Sequence, residues 1–253
     1  MSVAGTLSEQ RHIGVYGKIP AHGDFLNQNL PRHFLDVWDH WLQQSILASQ
    51  EVLGDAWLEH FLISPVWRFV LPINMMDEQS WAGIILPSVD KVGRYYPLTL
   101  VARVPKDVGV CEYLTQAKPW FQSLEDVAIN ALENGLDINA LTAALSECPL
   151  PDFGHEFAFA LKPQYQLQHV VPLDSFICSS PESPIASLMP QLCDALLRSQ
   201  NANLSMWWTE GGEHVGSALL LAEKLPRPTS FTAMLNGQWQ HWHWPNLLHT
   251  RGT

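Results

Sequence analysis

Residues Trp81–Val104 read WAGIILPSVDKVGRYYPLTLVARV. Two runs rich in aromatic and β-branched residues, WAGIILP (Trp81–Pro87) and YPLTLVARV (Tyr96–Val104), flank a polar centre that contains glycine. Short apolar runs of this composition, bounded by turn residues, read as strands. A similar run, VWRFVL (Val66–Leu71), precedes them, and the three are expected to be neighbours in one sheet.

Towards the N-terminus, IGVYGKI (Ile13–Ile19) reads as a strand entering a turn at Pro20–Asp24. Pro31 then opens a helix on which Phe34, Val37, Trp38, Trp41, Leu42 and Ile46 recur at three- and four-residue spacing. A second helical run, Ala56–Ile63, ends near Ser64–Pro65, because the residue before proline disfavours helical geometry. After Pro105 a helix carries Trp120, Leu124, Val127, Ala128 and Leu132 on one face, with Gly135 placed to end it. A shorter helix follows at about Asn139–Glu147. The second half predicts strands at FAFALK (Phe157–Lys162), LSMWWT (Leu204–Thr209), GSALLLA (Gly216–Ala222) and WQHWHW (Trp239–Trp244), with a helix around Ile185–Arg198. Strands interleaved with helices in both halves favour an α/β protein whose sheet is covered by helices in layers. CPLPDFG (Cys148–Gly154) is the best candidate for an internal lobe boundary, within a single domain.

The chain has 253 residues, of which 47% are hydrophobic and 15% charged, as expected for a globular protein with a large core. Its 25 acidic residues outnumber 14 basic ones, giving a net charge of -11 that would repel a phosphate backbone. Nucleic acid is therefore not an expected partner. No apolar run reaches the length of a membrane span, and MSVAGTLSEQRH lacks the regions of a signal peptide, so a cytoplasmic location without membrane insertion is expected. Cys111, Cys148, Cys178 and Cys193 form no C-x-x-C pair and read as reduced, mostly buried thiols.

GVYGKIPAHGDF (Gly14–Phe25) concentrates glycines with Lys18, His22 and Asp24. A phosphate-binding loop needs G-x-x-x-x-G-K-[ST]; here Gly14 lies only three residues before Gly17, and Ile19 stands where the hydroxyl is required. The alternative is a turn in which Gly17 and Gly23 permit tight backbone and Asp24 satisfies exposed amides. In the loop of the opening stretch, Ser88, Asp90, Lys91 and Arg94 crowd together. Ser88 lacks the G-x-S-x-G setting of a hydrolase nucleophile, and a triad with His22 or His60 has no local signature. The structural alternative is an Asp90–Arg94 pair that braces the loop. Arg68 sits inside an apolar strand and, if buried, requires a carboxylate; Asp24 and Asp90 are the candidates, which would bring both polar loops around it. In QHWHWPNLLH, His241 and His243 share one face of a strand, but with His249 they assure no third metal ligand, so no metal or other cofactor is expected. Trp207 and Trp208 read as one core ring and one surface ring.

Several of these stretches, in order, resemble the TagF family, also called ImpM, which is associated with bacterial type VI secretion. They are GVYGKIPAHGDF, WDHWL (Trp38–Leu42), SPVWRF (Ser64–Phe69), WAGIILPSVDKVGRYYPLTL (Trp81–Leu100) and SMWWT (Ser205–Thr209), with FTAML (Phe231–Leu235) as a thinner match. The resemblance implies a three-layer αβα fold, a central sheet between helical layers, in one TagF-like domain over residues 10–250 with a flexible segment at 1–9. It also implies a cytoplasmic, post-translational repressor of secretion acting on the forkhead-associated scaffold protein of the system. Some relatives are fused to a phosphatase domain; none is expected after Thr253. No catalytic residue is transferred from the family, and the expected role is protein binding, not enzymatic. The matching residues Gly17, Lys18, Gly23, Asp24, Arg68, Ser88, Asp90, Gly93 and Arg94 are expected to form a surface or loop-bracing cluster. The alternative is a hydrolase acting on a component of the machinery through Lys18, Ser88 and Asp90. A structural component of the machine is a third reading, weakened by the lack of repeats or long heptads.

Overall fold

The computed structural model describes residues 12–105, 108–151, 189–199, 203–242 and 244–246. Seven strands form one antiparallel sheet: β1 (Gly14–Gly17), β2 (Leu26–Gln28), β3 (Trp67–Leu71), β4 (Ser80–Leu86), β5 (Leu98–Val104), β6 (Ser205–Thr209) and β7 (Ala218–Ala222). Their order across the sheet is β2-β1-β5-β4-β3-β6-β7. The opening stretch is its centre, with Trp81 opposite Arg103 and Leu86 opposite Leu98.

Alternation along the strands assigns each side chain to one of two cores. On one face Val15, Val70, Ala82, Ile84, Leu100, Ala102, Met206 and Trp208 meet helices α3 (Val110–Gln116), α4 (Lys118–Glu133) and α5 (Ile138–Ser146). On the other, Tyr16, Trp67, Phe69, Trp81, Ile85, Val101 and Trp207 meet α1 (Arg32–Leu53), α2 (Trp57–Leu62) and α7 (Pro228–Asn236). A further helix, α6 (Met189–Ser199), packs on α3. The result is a three-layer α/β fold.

Both members of the Trp207–Trp208 pair are buried, one in each core, because the sheet has helices on both faces. Neither is the surface ring expected from the sequence. The α1 core is aromatic: Trp38 lies parallel to Trp207 and packs on Phe69 and Trp41, each at 4.9 Å between ring centres. A buried indole N–H usually finds an acceptor, and three in this core do. Trp38 donates to the Thr99 hydroxyl at 3.0 Å, Trp41 to the Pro226 carbonyl at 2.7 Å, and Trp67 to the Met234 carbonyl at 3.1 Å. The first and third tie helix to strand and the second ties α1 to the segment before α7, all across large sequence separations.

The remaining differences from the sequence pattern are local. Val37 is exposed although it falls on the predicted face of α1. Trp239–Trp242 forms turns instead of a strand: the Trp242 amide donates to the Gln238 and Trp239 carbonyls, closing the chain on itself just after α7. The FAFALK strand lies outside the described residues, as does His243 of the suggested histidine pair. Cys111, Cys148 and Cys193 are free and half-buried. Burial, followed by the neighbouring Asp194 carboxylate, pushes the Cys111 thiol up to about 12, so it remains protonated at neutral pH.

Trp38→Ala should destabilise the fold by about 3–5 kcal/mol in urea denaturation, since it leaves a large cavity and strands the Thr99 hydroxyl. A loss below about 1 kcal/mol would show that the aromatic core is not the principal contact of α1.

Candidate functional site

β1 ends at Gly17, whose φ of 121° is accessible to few side chains, and a β-carbon there would collide with the Pro97 carbonyl oxygen. This close approach seats the next residue, Lys18, beneath the β4–β5 loop. Lys18 is 4% exposed, and its ammonium lies 2.7 Å from Asp90 Oδ2. Arg94 Nε reaches the same oxygen at 2.6 Å. The other oxygen, Oδ1, accepts from the Val92 and Arg94 amides at 3.0 and 2.9 Å. Gly93, with φ of 85°, completes the turn by donating its amide to the Asp90 carbonyl. Asp90 thus closes its own loop while holding two cations.

The two polar loops meet here. Ser88 donates its hydroxyl to the Lys18 carbonyl at 2.7 Å, the Lys91 amide donates to the His22 carbonyl at 3.1 Å, and Arg94 Nη2 donates to the Gly23 carbonyl. Lys18, Ser88, Asp90 and Arg94 are therefore one bonded unit. Asp24 does not join it: its side chain is exposed and makes no hydrogen bond or ion pair among the described residues. Gly23 contributes only its carbonyl, with an ordinary φ and open space where a β-carbon would stand.

Arg68 is also placed differently from the expectation. Facing the α4 layer from the start of β3, it makes a two-pronged pair with Glu125 at 2.6 and 3.0 Å and a further contact with Glu210 at 3.2 Å. Its partners are not Asp24 or Asp90, and the polar loops do not meet around it. Burial disfavours its charge, but the Glu125 hydrogen bonds and charge, aided by Glu210, outweigh this and raise its pKa. Arg68 joins strand to helix and takes no part in the loop cluster.

An aromatic group that composition alone did not identify adjoins the loops. Phe25 is half exposed, stacks on Tyr16, meets Tyr96 edge-on at 4.8 Å, and lies 4.8 Å from the Lys18 ammonium. Tyr16 and Tyr96 both donate their hydroxyls to Asp39 Oδ1 on α1, the latter at 2.8 Å. Burial, followed by the hydrogen bond and charge of Asp39, raises the Tyr16 pKa; burial, followed by the neighbouring Tyr16 and Asp39, raises that of Tyr96. Both phenols stay protonated as donors. Alternation signalled only Tyr16, which opposes Val15 and so shares the α1 face; Tyr96 precedes β5 and lies in the opposite core from Leu98 and Leu100.

A three-layer α/β protein whose loop polar groups are bonded to one another is the class defined by this geometry. Residues 14–148 match the model of the TagF N-terminal domain, described as type VI secretion system-associated, and the chain belongs to the TagF family. Among solved structures it is similar to the crystal structure of PA0076 from Pseudomonas aeruginosa PAO1. That similarity has a TM-score of 0.71 and 26% identity, covering 95% of this chain and 99% of that one. Comparison with curated proteins gave no match. No helix among the described residues is long and apolar enough to cross a membrane.

Burial opposes ionisation of Asp90, but the Lys18 ammonium, the Arg94 groups and the Val92 amide together hold its carboxyl well below the usual carboxylate range. A carboxyl lowered by folding stabilises the protein above its unfolded value of about 4, and that stabilisation is lost as pH falls through the folded value. In urea denaturation, Asp90→Asn should be less stable than wild type at pH 7 and lose less stability between about pH 4 and pH 2. Parallel pH curves for the two proteins would contradict this assignment.

Proposed function

We propose that this protein is a cytoplasmic, post-translational negative regulator of type VI secretion that acts by binding the forkhead-associated scaffold protein of the system. Membership of a type VI secretion-associated family supplies the process. The observation that carries binding over catalysis is the state of the loop's polar groups. Ser88 is 4% exposed with its hydroxyl committed to a backbone carbonyl, and Asp90 accepts from two cations and two amides. A nucleophile needs an exposed oxygen with a base in hydrogen-bond reach. Among the described residues Ser88 has neither of these, which weighs against hydrolysis through the Ser88–Asp90 loop.

The tryptophans do not contribute to this reading. They are an obvious source of binding energy at interfaces, but Trp38, Trp41, Trp57, Trp67, Trp81, Trp207 and Trp208 are buried in the two cores.

Deleting the gene in the native bacterium should raise secretion of a type VI substrate, and either wild type or Ser88→Ala should restore repression. Tagged wild type should co-purify the scaffold protein. Unchanged secretion on deletion together with no scaffold recovered would remove the proposal. A folded Ser88→Ala protein that fails to repress would favour the hydrolase.

A further inference from the structure

We propose that His60 and His214 form a binding site for a first-row divalent transition metal, with zinc as its type ion, and that the bound metal clips α2 to the β6–β7 hairpin. The inference is independent of the regulatory reading.

The two imidazoles face each other across two elements, with Nδ1 to Nδ1 at 3.2 Å and ring centres 5.2 Å apart. Two imidazole nitrogens bound tetrahedrally to one zinc ion, each at about 2.0–2.1 Å, stand roughly 3.3–3.4 Å apart with ring centres about 5.2 Å apart. A straight Nδ1–H···Nδ1 hydrogen bond of the observed length would hold the centres about 5.5 Å apart. The observed pair of distances matches the chelate more closely. Without a metal, one Nδ1–H donates to the other Nδ1. The accepting ring therefore already presents a lone pair, and the donating ring presents one by carrying its proton on Nε2 instead.

Both histidines stand on backbone fixed by burial. His60 lies in the last turn of α2, whose Trp57 and Phe61 are buried and stack on each other, and the Trp57 indole donates to the Ser49 hydroxyl of α1 at 2.9 Å. His214 lies in the turn between β6 and β7, where the Gly212 amide donates to the Val215 carbonyl at 2.7 Å and Val215 is 1% exposed. Gly237, at the end of α7, passes so close that a β-carbon there would collide with the His214 carbonyl oxygen. Ligands positioned in advance lose little entropy when they bind.

His214 is exposed and His60 half-buried, so the site is open to solvent. No group of three or more histidine, cysteine or acidic side chains suited to a metal occurs among the described residues, and water fills the remaining coordination positions. Two imidazoles with open positions make an exchangeable site, unlike the closed four-ligand set of a structural zinc centre. Imidazole suits zinc, copper and nickel, whereas magnesium prefers oxygen ligands. The pair is invisible in the sequence because no ligand-spacing motif joins residues 154 positions apart.

Zinc chloride titrated by calorimetry into the untagged protein at neutral pH tests the site, with His60→Gln, His214→Ala and His241→Ala alongside. Glutamine keeps a hydrogen-bonding group but removes the imidazole, and His241 controls for the other histidines. Wild type and His241→Ala should bind one zinc ion with equal affinity, whereas His60→Gln and His214→Ala should each bind at least about tenfold more weakly, as one arm of a chelate is lost. Zinc should raise the melting temperature of wild type more than that of either variant, because it binds the folded state. Magnesium should neither bind nor compete. Circular dichroism should show every variant folded. No zinc binding by wild type, or unchanged affinity in both His60→Gln and His214→Ala, would overturn the site; competition by magnesium would overturn its imidazole chemistry. None of these results bears on the regulatory reading, which the secretion assay tests.

Discussion

The ion pair between Lys18 and Asp90 is the interaction on which the loop end of the sheet depends. Both side chains are out of solvent, and neither charge is tolerable there alone. Lys18 is delivered by β1, whose Gly17 must pass against the Pro97 carbonyl, so the pair also records the register of β1 on β5. Asp90 in turn shapes the loop by accepting two amides of its own turn. Strand placement, loop conformation and the outward direction of Arg94 are therefore consequences of one buried carboxylate.

A second constraint shapes the rest of the molecule. With helices on both faces, the central strands β3 and β4 are buried along their whole length, and polar groups that enter either core are costly without a partner. Arg68 meets this demand with Glu125 on α4, and the indoles of Trp38, Trp41 and Trp67 meet it with Thr99 and two backbone carbonyls. Polar groups that serve neither core gather where the strands end, which is why the loop cluster stands at the edge of the sheet.

Much of this was legible in the sequence. The three central strands announce themselves as runs of aromatic and β-branched residues, and α1 and α4 by their spacing of apolar positions. The pairing of Asp90 with Arg94 was readable because four residues span a turn. The partner of Arg68 was not, since Glu125 lies 57 residues away on a helix whose docking only the finished fold decides. β2 has three residues, too few for alternation to register, and α3 follows a proline and a glycine that hide its start. α7 did carry signals, a proline at its first turn and Gly237 in the left-handed region at its end, but the following tryptophan–histidine alternation mimics a strand. That alternation instead reflects turns in which Trp244 reaches back to the Ser230 carbonyl.

The loop brace holds this end of the sheet in one conformation through the Lys18–Asp90 pair and the two amides that Asp90 accepts. Amide hydrogen exchange measures this property directly. In the wild-type protein the amides of Asp90, Val92, Gly93, Arg94 and Tyr96 should exchange slowly, with protection close to that of β5, and Lys18→Met should release the loop amides while leaving those of β5 protected. Rapid exchange of the loop amides in the wild type, or protection unaffected by loss of Lys18, would contradict the account.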